Sequence, residues 1–227
     1  MRKSFCSLIS FLLFSLLACG AASAHWYVAP TGNDANNGSK RKPLKTIAAA
    51  LQRVNPGDTV FLREGSYGEF VVPTRSGKPG KMITLKSYPG EIAKIDGSDL
   101  YIKGWGNALV QVNNIDYMQF ENLHICHAHD SENNTDPEGI YITGTSGNIT
   151  FRGCKVYDIK NDCPLVDAKG DWRSAHAILV LGTDDNTPIR NLLIEKCEIF
   201  EIHSGTSEAF TFCLLYTSPS PRDISGS

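Results

Sequence analysis

In the second half of the chain, apolar and polar residues alternate in short runs, and the same corner recurs between the runs. Residues 117–125 (YMQFENLHI), 148–156 (NITFRGCKV) and 191–199 (NLLIEKCEI) superimpose position by position. Each holds two stretches of period-two alternation, the mark of strands with one buried face, joined by a tight polar corner. A further short strand precedes each unit, at 110–112, 140–142 and 178–180, and a fourth copy begins at 209–212. Equivalent positions lie 31 residues apart from Phe120 to Phe151 and 43 apart from Phe151 to Ile194. The strands keep register through this drift, so the additions fall in loops. Three strands per turn with a loop of variable length predict a parallel β-helix. A β-sandwich also has many short strands, but it gives no reason for one corner to recur three times.

The first half reads differently. Residues 43–54 (PLKTIAAALQRV) place Leu44, Ile47, Ala48, Leu51 and Val54 at helical spacing, with Pro43 suited to a first helical position. Residues 55–58 (NPGD) stop this helix, and strands follow at 59–62 and 82–86, each ended by a turn. A solenoid's first coil exposes an apolar end and open strand edges, and an amphipathic helix laid over that end covers them.

The two ends are expected to lie outside the fold. Arg2 and Lys3, the apolar run 5–18 and Ala22-Ser23-Ala24 form an export signal over 1–24. A lipoprotein signal is the alternative, because 16–19 (LLAC) would present Cys19 for lipidation. Either places the protein outside the cytoplasm, secreted or periplasmic, or anchored through Cys19. The apolar run is too short for a membrane span. Residues 213–227 (CLLYTSPSPRDISGS) break the strand pattern, and CLLYTS and PSPRD match a translated sequencing adapter. That leaves 25–212 as a cap and the first coils of a longer solenoid.

Composition narrows the function. Charged residues make up 20% and hydrophobic ones 41%, which excludes a disordered polyelectrolyte. Lys+Arg (22) and Asp+Glu (24) nearly cancel, which argues against a nucleic-acid partner. Of seven cysteines, only Cys126, Cys154, Cys163 and Cys197 lie between the two ends. Cys154 and Cys197 share a repeat position with Leu123, an inward stack suited to small apolar groups or, in an exported protein, to a bridge between coils. Cys126 and Cys163 stand where the two long loops begin and are a second candidate pair.

The segments YVAPTGNDANNGS, PLKTIAAALQRVNPGDTVFLREGSY and ITLKSYPGEIAKIDGS resemble the N-terminal cap of secreted right-handed parallel β-helix proteins. The similarity is to the pectate-lyase-like superfamily, including the family-nine polysaccharide lyases, and covers about 25–212. It implies an all-β, right-handed, single-stranded parallel β-helix with an N-terminal capping helix, monomeric when full length. It also implies an acidic, pectin-like polysaccharide as substrate, cleavage by β-elimination, and Ca²⁺ as cofactor. In such lyases the calcium-binding Asp cluster and the basic catalytic residue sit in later coils, and neither has a match here.

Candidate chemistry must therefore come from the residues themselves. The strand beginning each repeat would line the substrate groove, walled by the long loops 127–138 and 160–175. Two residues before the first inward position of that strand stand Glu138, His176 and Glu208. Stacked coils set such residues about 4.8 Å apart, so a Glu-His-Glu column is expected at the groove mouth, suited to acid/base work or a cation. Asp162, Asp167 and Asp171 are candidate calcium oxygens, at a spacing unlike a tight calcium loop. Lys169 and Arg173 are candidate bases or carboxylate partners, and Trp172 and Tyr141 candidate surfaces for a sugar ring. A glycoside hydrolase on the same scaffold is the alternative enzyme, and a non-catalytic polysaccharide-binding or cell-surface protein the alternative outside catalysis.

Overall fold

Parallel strands in three sheets wind the chain into stacked coils, with alternate burial in strands such as Ile83–Ser87, Ala93–Asp96 and Gly147–Arg152. The computed structural model describes residues 23–102, 107–130, 136–162, 174–184, 186–205 and 207–213. The N-terminal part carries β1 (His25–Val28), α1 (Ile47–Leu51), β2 (Thr59–Leu62), β3 (Gly65–Tyr67), β4 (Ile83–Ser87) and β5 (Ala93–Asp96). Three strands per coil follow. The first coil has β6 (Ala108–Asn113), β7 (Asp116–Glu121) and β8 (Leu123–Asp130), and the second β9 (Glu138–Gly144), β10 (Gly147–Arg152) and β11 (Lys155–Asn161). The third has β12 (His176–Gly182), β13 (Arg190–Glu195) and β14 (Glu198–His203), and β15 (Phe210–Cys213) opens the next.

These strands make three sheets of six, five and four strands, ordered β1-β2-β4-β7-β10-β13, β14-β11-β8-β5-β3 and β15-β12-β9-β6. Neighbouring strands pair in parallel with the register the repeat predicts: Phe120 opposite Phe151, and Phe151 opposite Ile194. Inward side chains therefore stack in columns. One runs Val60, Leu85, Phe120, Phe151 and Ile194. At its centre the Phe120 and Phe151 rings lie face to face, 4.5 Å apart and 5° from parallel. Cys154 and Cys197 stand at one level of adjacent coils, and Cys154 is buried in the core with Cys197 packed against it.

Left-handed backbone recurs at the same positions of successive coils. Tyr117, Asn148 and Asn191 all take φ of 53–55°, and His127, Asp158 and Glu201 take 56–61°. Each trio occupies one position on successive coils. Both trios lie inside strands. The corner between the second and third strand of each coil holds a third left-handed trio, Asn122, Gly153 and Lys196, with φ of 54–63°. Asn meets this conformation more easily than most residues.

The capping helix is shorter than its periodicity predicts. Asp34 accepts hydrogen bonds from the Lys45 and Thr46 N–H groups, and Thr46 caps the helix by accepting from the Ala49 N–H. The Glu69 carboxylate takes the Ile47 and Ala48 N–H groups. Leu44, expected in the helix, is instead bridged to Val28 in extended backbone. Pro43 thus precedes the helix rather than opening it. Among the described residues β13, β14 and β15 each pair on one side, and Leu193, Phe200, Phe210 and Phe212 are exposed.

Candidate functional site

The outer face of the β6-β9-β12-β15 sheet holds the Glu138, His176 and Glu208 column. A bulge aims these residues outward. Both the Ala177 and Ile178 N–H groups donate to the Ala209 carbonyl, the two-against-one pattern of a β-bulge. Leu109 and Ala177 consequently join the core beside Val110 and Ile178, while Ala108 packs outside with Tyr141 and Leu179. Gly139 lies between Glu138 and Ile140 at the same level, where a Cβ would stand 2.6 Å from Val156 Cγ1. Only glycine lets the coils close there.

His176 pairs with Glu138 in the parallel ladder, and its Nδ1 lies 2.8 Å from the Glu208 main-chain oxygen. A carbonyl only accepts, so Nδ1 carries the proton and the neutral ring keeps its lone pair on Nε2. The Thr211 hydroxyl, 3.3 Å from Nδ1, flanks the same contact, and the His176 N–H donates to the Pro137 carbonyl. The ring is thus fixed in tautomer and orientation.

The column differs from an open row of carboxylates at a groove mouth. Glu138 is fully buried and His176 is 5% exposed, whereas Glu208 is exposed. Glu208 meets His176 through its backbone, and its carboxylate lies 3.4 Å from the Thr211 hydroxyl. Tyr141, at 9% exposure, packs with Ala108 and Leu179 instead of presenting an open ring. Asp162 is exposed and 3.2 Å from His203 Nδ1. Lys169, Arg173, Trp172, Asp167, Asp171 and Cys163 lie outside the described residues.

Two further carboxylates join this face. Asp130 ends β8 opposite Asn161 at the end of β11, and its carbonyl accepts from the Asp162 N–H. Burial pushes the Asp136 carboxyl above its ordinary range, nearby His176 pulls it down, and Asp130 pushes it up again. Asp136 thus lies near both His176 and Asp130, and Glu138 is the ladder partner of His176. Asp130 closes β8 and Asp136 precedes β9, in a stretch whose repeat partners carry no similar sequence. The only hint was position, because Asp130 and Asn161 mark where the two long loops leave the scaffold.

A family model for the Pel9A-like, right-handed beta-helix region matches residues 26–216. The chain belongs to this family. The uncharacterized protein YwoF of Bacillus subtilis (strain 168) is 32% identical over 185 residues, covering 82% of this chain and 39% of that protein. Pectate lyase PEL9 of Emericella nidulans is 26% identical over 147 residues, covering 60% of this chain and 34% of the lyase. This Pel9A-like chain thus spans between a third and two fifths of the length of these relatives. Among solved structures, the GH136 lacto-N-biosidase of Eubacterium ramulus aligns with a TM-score of 0.61 at 18% identity, over 81% of this chain and 35% of that one. That likeness is one of fold. Among the described residues, no helix is long and apolar enough to cross a membrane.

Proposed function

We propose that this chain is part of an exported polysaccharide lyase that cleaves an acidic, pectin-like polysaccharide by β-elimination, with His176 in proton transfer. The observation that carries the reading is the His176 Nδ1–H bond to the Glu208 carbonyl, which leaves Nε2 as a base in an otherwise acidic neighbourhood. In β-elimination a base removes the proton beside the uronate carboxylate, the bond to the leaving sugar oxygen breaks, and that oxygen gains a proton. His176 offers Nε2 to take up and return a proton, the role such transfers require. Glu138, its ladder partner, and nearby Asp136 stabilise the imidazolium that forms when it accepts a proton.

Calcium takes oxygen ligands alone, and among the described residues Asp130, Asp136 and Glu138 do not gather their oxygens closely enough to hold one ion together. Bound calcium neutralises a substrate carboxylate and so acidifies the adjacent C–H. Lys169 and Arg173 are proposed to share that neutralisation, Asp162, Asp167 and Asp171 to add oxygen ligands, and Trp172 to stack on a sugar ring. Membership of a family that includes a pectate lyase among this chain's relatives supports the substrate class.

The test incubates the full chain with polygalacturonate and Ca²⁺ and follows the ultraviolet absorbance of the unsaturated product. His176→Asn keeps a donor for the Glu208 carbonyl but removes the Nε2 base, and should lower turnover about 10²- to 10⁴-fold. Wild-type activity unchanged in His176→Asn removes His176 from the chemistry. New reducing ends without an absorbance rise refute the lyase reading in favour of a hydrolase.

A further inference from the structure

A second group of reactive side chains lies on another sheet, around β5, β8 and β11. Cys126 stands in register between Asp96 and Tyr157. It is fully buried, yet it is not part of the hydrophobic core. Its side chain lies on the outward face beside its ladder partner Tyr157, which itself stacks on Phe200 at 4.8 Å. In a regular strand His127 would point away from Cys126. Its φ of 61° folds it back onto the same face. There His127 Nδ1 lies 2.8 Å from Asp96 Oδ1 and 3.1 Å from Ser98 Oγ, while Nε2 faces Asp158 Oδ2 at 3.8 Å.

We propose that Asp96, Cys126 and His127 form a binding site for a borderline-soft divalent metal ion, zinc being the best match. One donor atom from each lies within 4.8 Å of the other two. A tetrahedral zinc ion with bonds of about 2.0–2.3 Å needs ligand atoms about 3.4–3.8 Å apart, so a side-chain rotation of about 1 Å closes the set. The donors are one sulfur, one nitrogen and one oxygen. That set disfavours calcium and magnesium, which take oxygen alone, and suits zinc. Three protein ligands leave a fourth position for water or the Ser98 hydroxyl.

The surroundings supply what such a site needs beyond its ligands. A ligating histidine usually donates its second N–H to a carboxylate, which fixes its tautomer. Asp158 stands on the Nε2 side of His127 and is held by His129 at 3.1 Å and by Lys160. On binding, the Cys126 thiol proton leaves to solvent. The His127 proton now shared with Asp96 gives way to the metal, and the neutral ring carries its proton on Nε2 towards Asp158.

The experiment titrates the full chain with Co²⁺ as a spectroscopic stand-in, then displaces it with Zn²⁺. A thiolate-to-cobalt charge-transfer band is expected, abolished by Zn²⁺ and unaffected by excess Ca²⁺. Cys126→Ser should remove the band, and His127→Gln should weaken Zn²⁺ binding by more than the about 10- to 100-fold typical of an outer-shell partner. Asp158→Asn should fall within that range, and circular dichroism checks that each variant folds. Should Cys126→Ser fail to fold, loss of the band in His127→Gln serves in its place. A wild-type titration without the band, or variants that bind zinc as tightly as wild type, overturns the proposal.

Discussion

Replacing Phe151 with alanine probes the interior of the solenoid most directly. The ring is fully buried, stacked on Phe120 at 4.5 Å, with Ile194 as its partner on the next coil. A buried aromatic side chain removes about 150–250 Å² from water, which at about 25 cal/mol per Å² is worth about 4–6 kcal/mol. Alanine keeps only the Cβ share, and two flanking coils limit collapse of the cavity. The expected loss is about 3–5 kcal/mol, of which about 0.5–1.5 belongs to the aromatic pair. Ordinary domains hold only about 5–15 kcal/mol in total, so Phe151→Ala should lower the urea midpoint sharply. Thr150→Ala, one residue away and facing outward, should stay within about 0.5 kcal/mol. Urea unfolding followed by far-ultraviolet circular dichroism measures both. A Phe151→Ala loss below about 1.5 kcal/mol, or one equal to that of Thr150→Ala, would refute the stacked column as the source of stability.

Other outcomes follow from the outer faces and the left-handed backbone positions. Lys86 contacts the Glu121 carboxylate at 2.5 Å, and Arg152 lies 3.4 Å from it. Burial opposes ionisation of Glu121, but Lys86 and Arg152 outweigh it and hold the carboxyl below its ordinary value. Its contribution is therefore full above the unfolded value of about 4.3 and is lost as pH falls through the lower folded value. Glu121→Gln should cost about 1 kcal/mol at pH 7, with the difference from wild type fading in acid. A pH-independent difference would contradict this. Asn148 holds φ of 55° and accepts a hydrogen bond from Asn191 Nδ2 at 3.0 Å. Asn148→Ala should cost about 1–2 kcal/mol and Asn148→Gly clearly less, and equal losses in thermal melts would show that the backbone angle is not the cause.

The periodic part of the fold was legible because each strand obeys a local rule. Phe120, Phe151 and Ile194 could be aligned from sequence since an inward position repeats at every second residue and each corner demands the same turn. The helix was legible in place but not in length. Its start is set by Asp34, a residue well upstream that captures the Lys45 and Thr46 N–H groups, and no periodicity of 43–54 carries that contact. The Glu138 and His176 pairing also followed from the repeat, yet burial and the Glu208 carbonyl contact did not.

The sequence by itself determined the stacking of coils and the register of the strands, because alternation and repeat spacing are properties of neighbouring residues. Only the tertiary structure decided which side chains share a site. The bulge at Ala177 turns His176 outward, and the left-handed turn at His127 brings it onto the face of Cys126 and Asp96. Both are single-residue departures from strand geometry, held in place by coils above and below. A pattern of apolar and polar positions contains no term for them.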